Sequence, residues 1–416
     1  MQLTVATLDM IRCYRVKGIN QFMKLLKREW REEKLLAWAF GGLWVFVTAF
    51  LWAPSRDGVE AIYALAFFIP MLMLLPWRKP GFHQYGGWFS VSALAYASWS
   101  CITSMWGGGT EFFILQWLIL AAWLLGAAWV LQKKSLDWDR LLTWFLLIGA
   151  ATATICIAVF YWSHPLAARL EGITIARAPT LVGQVYGVVV LVGILLSWRT
   201  SCFKCALGLS LATIPALAAL GLSQSRGPLL SLVLVLVVGL VWLRPGRKIL
   251  LTQLCVTLVA LGAALYFFPL DQALLGRGAS FRDQIWWDVI AQMRAQPSLF
   301  LLGVGMGEST DIMTSIGPYH HAHNAWLDIL YRTGIVGLGL AVTHLALLLW
   351  SARRHRHLAP VTLWLVYGCG CLLVDSRSLF WEIDAKWLLY WVPAALLAAS
   401  LVRENNLREK NPRVKN

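Results

Sequence analysis

The sequence predicts an all-α polytopic membrane protein, and three observations carry that expectation. Of its 416 residues, 59% are hydrophobic and only 14% charged. Apolar stretches of about 18 residues or more, the length that crosses a bilayer core, recur from Leu35 to Val402 with mostly short connections. Lysine and arginine gather in alternate connections, as the positive-inside bias requires. Together these features exclude a disordered chain, a secreted disulfide scaffold and a soluble Rossmann or barrel enzyme. A transmembrane β-barrel needs alternating polar and apolar residues, whereas these runs are continuously apolar.

Bounded by charges or by Gly and Pro clusters, about twelve spans are expected, near 35–53, 59–77, 87–106, 112–131, 141–162, 178–198, 205–222, 228–243, 249–268, 326–350, 359–376 and 386–402. Residues 1–34 then form a basic cytoplasmic arm, 35–268 carry spans one to nine, and 269–325 form a loop on the outer side. Residues 326–402 carry the last three spans, and 403–416 form a cytoplasmic tail. An even number of spans returns both termini to one side, and the basic residues mark that side as the cytoplasm. They fill the arm and recur at Arg78 and Lys79, at Lys133, Lys134 and Arg140, at Arg199 and Lys204, at Arg244, Arg247 and Lys248, at Arg353, Arg354 and Arg356, and in the tail. The net charge of +15 therefore reflects orientation in a membrane rather than affinity for nucleic acid. The arm lacks the short apolar core and cleavage site of a signal peptide, so the first span is read as retained. Many of the 24 tryptophans stand near span ends, where indoles favour the interface.

All eight cysteines fall in spans or on the reducing side, which leaves no disulfide framework. Cys202-Phe-Lys-Cys205 has C-x-x-C spacing without a second pair nearby. Asp137-Trp-Asp139 has the D-x-D spacing of many metal-dependent sugar transferases, but its basic neighbours place it in the cytoplasm, where it reads as a loop.

The long connection from Pro269 to His323 is the natural home of function. Within it Ile285, Trp286, Val289, Ile290 and Met293 recur on one helical face until Pro297, predicting an amphipathic helix that lies on the outer leaflet or on the bundle. Gly303-Val-Gly-Met-Gly307 reads as a flexible turn; it lacks the Lys-Ser/Thr of a nucleotide loop, and the chain has no Walker sequence. The loop closes on Pro318-Tyr-His-His-Ala-His-Asn324, where three readings compete: zinc ligation, helix capping, and a general base at His323. Gly334, eleven residues after His323, falls three helical turns on and about 16 Å deeper on the same face, with Gly337 near that stripe. This suggests an apolar groove below the histidine, open to a neighbouring helix or a lipid chain, although glycine-based helix packing explains the spacing equally well.

Arg226 sits in a very short outer turn, Leu222-Ser-Gln-Ser-Arg-Gly-Pro-Leu-Leu230, against the positive-inside bias. Held at a membrane surface, its guanidinium suits phosphate groups. Arg282 opens the amphipathic helix. Arg169, Arg177, Arg277 and Arg294 lie on the same side, where snorkelling to lipid phosphate also accounts for them.

These residues resemble a family. His323-Asn324, nine residues, Gly334, two residues and Gly337 match the H-N-x9-G-x-x-G signature of bacterial O-antigen ligases, and Arg226-Gly-Pro-Leu-Leu230 matches their R-x3-L element. The resemblance extends to the wider O-antigen polymerase/ligase superfamily; it is carried by motifs in the second half of the chain and by hydropathy alone in the first. It implies a glycosyltransferase of the bacterial inner membrane with a periplasmic active site. Such an enzyme moves polysaccharide from an undecaprenyl diphosphate-linked donor to a sugar hydroxyl of lipid A–core, with inversion and without metal or other cofactor. Carried over by position, His323 is the base and Arg226 and Arg282 meet the diphosphate; Arg169 matches more weakly. An O-antigen polymerase, which shares the donor, is the alternative. A lipid-linked sugar transporter is more remote, because the spans are nearly free of charge at their centres.

Overall fold

The computed structural model describes residues 32–74, 86–134, 137–267, 281–307, 312–315 and 317–410. Most of the basic arm, Arg277 and the start of the long loop lie outside these residues. Among the described residues the architecture is all-α apart from one two-stranded hairpin.

Helix α1 (Glu32–Trp52) and α2 (Arg56–Leu74) are followed by α3 (Gly87–Gly107), α4 (Thr110–Lys133), α5 (Trp138–Ser163), α6 (Pro179–Arg199), α7 (Phe203–Leu222), α8 (Arg226–Leu243) and α9 (Arg247–Phe267). Beyond them come α10 (Arg282–Ala295), α11 (Pro297–Leu302), the hairpin β1 (Ile312–Thr314) and β2 (Gly317–Tyr319), α12 (Ala325–Ala352), α13 (Ala359–Val374) and α14 (Val392–Lys410), which is entered through a π turn at Trp387–Trp391. Among the described residues nine helices are long and apolar enough to cross a membrane. The expected spans near 87–106, 249–268 and 386–402 coincide with α3, α9 and the π turn with α14, which are outside that set. The chain is a multi-pass membrane protein.

Helix α6 is the hub, packed against α5, α7, α8 and α13 and buried along nearly its whole length. A Cβ at Gly187 would stand 1.8 Å from the hydroxyl oxygen of Tyr367, so only glycine lets α13 approach this closely. The Tyr367 hydroxyl donates to the carbonyls of Gly183 and Gln184 at 3.2 Å, fixing the register of α13 against α6. Asp137 is the N-cap of α5, accepting from the Arg140 amide at 3.1 Å, and Asp139 pairs with Arg199 at 3.3 Å. The D-x-D segment thus caps a helix instead of forming the expected loop.

Two expectations about the long loop are corrected. The glycine stripe does not continue straight below His323, because His323 precedes the helix and α12 breaks at Gly334 (φ 66°, ψ −174°). A Cβ there would lie 2.1 Å from the Leu301 carbonyl oxygen; backbone of α11 fills the space assigned to a groove. Gly337 faces the Thr333 side chain and Trp99 of α3. The Gly303–Gly307 segment is not a flexible turn but a packed strap between α3 and α12. Val304 and Gly305 donate their amides to the carbonyls of Tyr331 and Arg332, both at 2.9 Å, and the Trp99 indole donates to the Thr333 carbonyl at 2.8 Å. Three carbonyls beside the helix break are thereby satisfied, as buried backbone requires.

Helix α10 covers the hairpin and the start of α12. Ile285, Val289 and Met293 bury their side chains with Ile312, Ala322 and Tyr331. Of the two resting places allowed by its apolar stripe, that stripe takes the protein. The described N-cap is Phe281, in left-handed backbone (φ 56°).

Candidate active site

Four chain segments meet at one end of the bundle. The first is the turn Ser223–Ser225 between α7 and α8. Leu222 accepts the Leu170 amide at 2.9 Å, and Arg169 donates from Nε to the Ser223 carbonyl at 3.1 Å and from Nη2 to the Ser225 hydroxyl at 3.3 Å. Arg169 thus ties its own loop to the turn from which Arg226, exposed, begins α8.

The second segment is the end of α13. A Cβ on Gly227 would lie 2.3 Å from Val374, so the residue after Arg226 packs on the residue before Asp375. Gln184 of α6 donates to the Asp375 carbonyl at 3.1 Å.

Asp375 is the point of convergence. Its Oδ1 lies 2.9 Å from His323 Nδ1 and its Oδ2 lies 3.2 Å from the Arg282 guanidinium, so one carboxylate joins the third and fourth segments. Burial pushes its pKa up, but the His323 hydrogen bond and the Arg282 charge outweigh burial and hold the carboxyl below its ordinary value. It is therefore ionised at neutral pH. The imidazole and Asp375 side chains retain 31% and 18% exposure, enough for a substrate to reach them.

A buried ion pair fixes His323. Asp328, fully buried, accepts from Arg332 Nε at 3.1 Å, from the Ala322 amide at 3.3 Å and from the Ser378 amide at 2.8 Å. Arg332 also donates to the carbonyls of Gly307 at 2.9 Å and His320 at 2.8 Å. These bonds pin the loop on one side of His323, and Asn324 pins the other by capping α12, accepting the amides of Trp326 and Leu327 at 3.1 and 3.2 Å. Between these anchors His323 is held in left-handed backbone (φ 50°), a conformation that costs an L-residue about 1 kcal/mol.

His321 Nδ1 accepts the His323 amide at 3.1 Å. Burial, followed by the neighbouring His323, pulls the His321 pKa down to about 4, so this ring is neutral at physiological pH.

The structure therefore brings His323, Arg282, Arg169 and the turn bearing Arg226 to one end, with Asn324 as a cap and Gly334 and Gly337 as packing points. Sequence reasoning missed Asp375, Asp328 and Arg332. The last two carried a readable signal, an acid and a base four residues apart inside an expected span; Asp375 is one carboxylate after an apolar run and carried none.

Residues 211–342 match the family model described as O-antigen ligase. Over 376 residues, covering 87% of this chain and 90% of the relative, the sequence is 27% identical to an O-antigen ligase of Pseudomonas aeruginosa. The matched segment holds Arg226, Arg282, His323, Asn324, Gly334 and Gly337, whereas Arg169 and Asp375 join it from outside.

Proposed function

We propose that this protein transfers a polysaccharide from undecaprenyl diphosphate to a sugar hydroxyl of lipid A–core, on the periplasmic face of the bacterial inner membrane. The observation that carries this reading is Asp375, whose two oxygens hold His323 and Arg282 beside the turn of Arg226. With Nδ1 turned to the carboxylate, His323 offers Nε2 to the attacking hydroxyl. It removes that proton as the oxygen bonds to the anomeric carbon, and Asp375 orients the ring and stabilises the imidazolium. Base catalysis of this kind contributes about 10² to 10⁴ in rate.

The bond from the anomeric carbon to the diphosphate breaks as charge gathers on the departing phosphate. Arg226 and Arg282 supply fixed donors there, worth a few kcal/mol where water is excluded, and Arg169 adds positive charge while bracing the turn. Attack opposite the leaving group inverts the anomeric centre. Guanidinium groups provide the positive charge that a divalent cation supplies elsewhere, so transfer is expected to continue in EDTA.

The test supplies purified protein in detergent with carrier-linked glycan and lipid A–core. Glycan joined to core, with free undecaprenyl diphosphate released, supports the proposal. Glycan joined instead to a second carrier-linked chain makes the protein a polymerase, and carrier movement across liposomes with no new bond makes it a transporter.

A further inference from the structure

At the opposite end of the bundle, three metal-ligating side chains converge outside the site described above. His355 precedes and His357 lies within the 3₁₀ turn Arg356–Leu358 between α12 and α13, and Glu404 stands on α14. His355 Nδ1 lies 3.1 Å from one oxygen of Glu404 and His357 Nε2 lies 2.6 Å from the other. The three ligand atoms fall within 4.8 Å of one another.

Both ligand-bearing elements are fixed independently. The His357 carbonyl accepts from Arg199 at 3.1 Å, while the Arg199 guanidinium also pairs with Asp139. The His355 amide donates to the Ala352 carbonyl at 2.8 Å, and the Leu358 amide returns to the His355 carbonyl at 2.9 Å. On α14, Arg403 donates to the carbonyls of Leu131 and Lys134 at 3.1 and 2.9 Å, and Asn406 donates to Gln132 at 2.9 Å. The cost of assembling three ligands is thus largely met by packing that exists for other reasons.

We propose that His355, His357 and Glu404 form a binding site for a divalent transition metal, Zn²⁺ by chemistry. Two imidazoles and one carboxylate form a donor set that zinc accepts with a fourth position open to water. Bond lengths of about 2.0 to 2.2 Å bring ligand atoms closer than 4.8 Å, which small rotations of the half-exposed His357 ring and of Glu404 provide. Binding staples the α12–α13 turn to α14 and so joins the last three spans at their inner end. This role is structural and separate from the glycan site.

The test titrates ZnCl₂ into tag-free, metal-stripped full-length protein in detergent, measuring stoichiometry by competition with a chromophoric chelator and the unfolding midpoint in parallel. One Zn²⁺ per chain and a raised midpoint are expected. H357A and E404Q should weaken binding by about tenfold or more and abolish the midpoint rise. Both residues are partly exposed, and an unchanged metal-free midpoint in the variants establishes that they fold. Co²⁺ in place of Zn²⁺ should give the visible absorption of a low-coordinate site in wild type and lose it in both variants. Absence of Zn²⁺ binding in wild type, or binding undiminished in H357A and E404Q, overturns the proposal.

Discussion

At the residue scale, the Asp375 carboxylate organises the proposed chemistry. Asp375→Asn leaves a side chain of the same size but removes the charge that holds the His323 tautomer and balances an imidazolium. Turnover should fall by about 10²- to 10⁴-fold with donor affinity changed much less; steady-state and binding measurements on the purified variant check this, and near-normal turnover contradicts it. His321 gives a pH test of stability. Its unfolded form takes a proton near pH 6.5, whereas the folded ring stays neutral to about 4. Between those values the unfolded state binds more protons, so stability falls as pH drops from about 6.5 to about 4, by a few kcal/mol at most. The wild-type unfolding midpoint should therefore drop more between pH 7 and pH 5 than that of His321→Asn. Parallel midpoints rule the linkage out.

At the scale of elements, the break in α12 matters most. The helix carries 28 residues, about 42 Å, well beyond the roughly 30 Å of a bilayer core. The break at Gly334 separates the segment bearing Asp328 and Arg332 from the apolar remainder, and the strap and Trp99 supply donors for the buried carbonyls beside it. Gly334→Ala meets both a left-handed backbone and the Leu301 carbonyl, and should cost about 2 kcal/mol or more. Gly339→Ala, with nothing within 4 Å of the new methyl, should be neutral or slightly stabilising. Unfolding of the two variants side by side checks this, and equal effects contradict it.

Much at this scale was legible in the sequence, because apolar runs and helix stops are local properties. The α10 stripe of Ile285, Val289 and Met293 was visible at its period, and Asn324 precedes α12 as a cap residue should. The break was not legible: Gly334 has the same spacing in a straight helix, and only the long-range approach of Leu301 distinguishes the two. The strap was misread for the same reason, since glycines permit flexible turns and close packing alike. In the site, His323 and the arginines stood out as polar groups at span ends. Asp375 became informative only when folding set it against His323, 52 residues away in sequence.

At the scale of the whole molecule, the charge pattern and the site make a joint claim about sides of the membrane. In a background without native cysteines, cysteine at Met313, two-thirds exposed on the hairpin, should react with an impermeant maleimide added to spheroplasts. Cysteine at Arg353, at the other end of α12, should react only after permeabilisation. Reversed labelling inverts the topology and removes the site from the periplasm.

The most direct measurement of the central claim is transfer by His323→Ala beside wild type, with carrier-linked glycan and lipid A–core in detergent and donor binding followed in the same samples. Product formation should fall to background while the variant folds and binds donor nearly as wild type does. Wild-type turnover without the imidazole contradicts a His323 base outright.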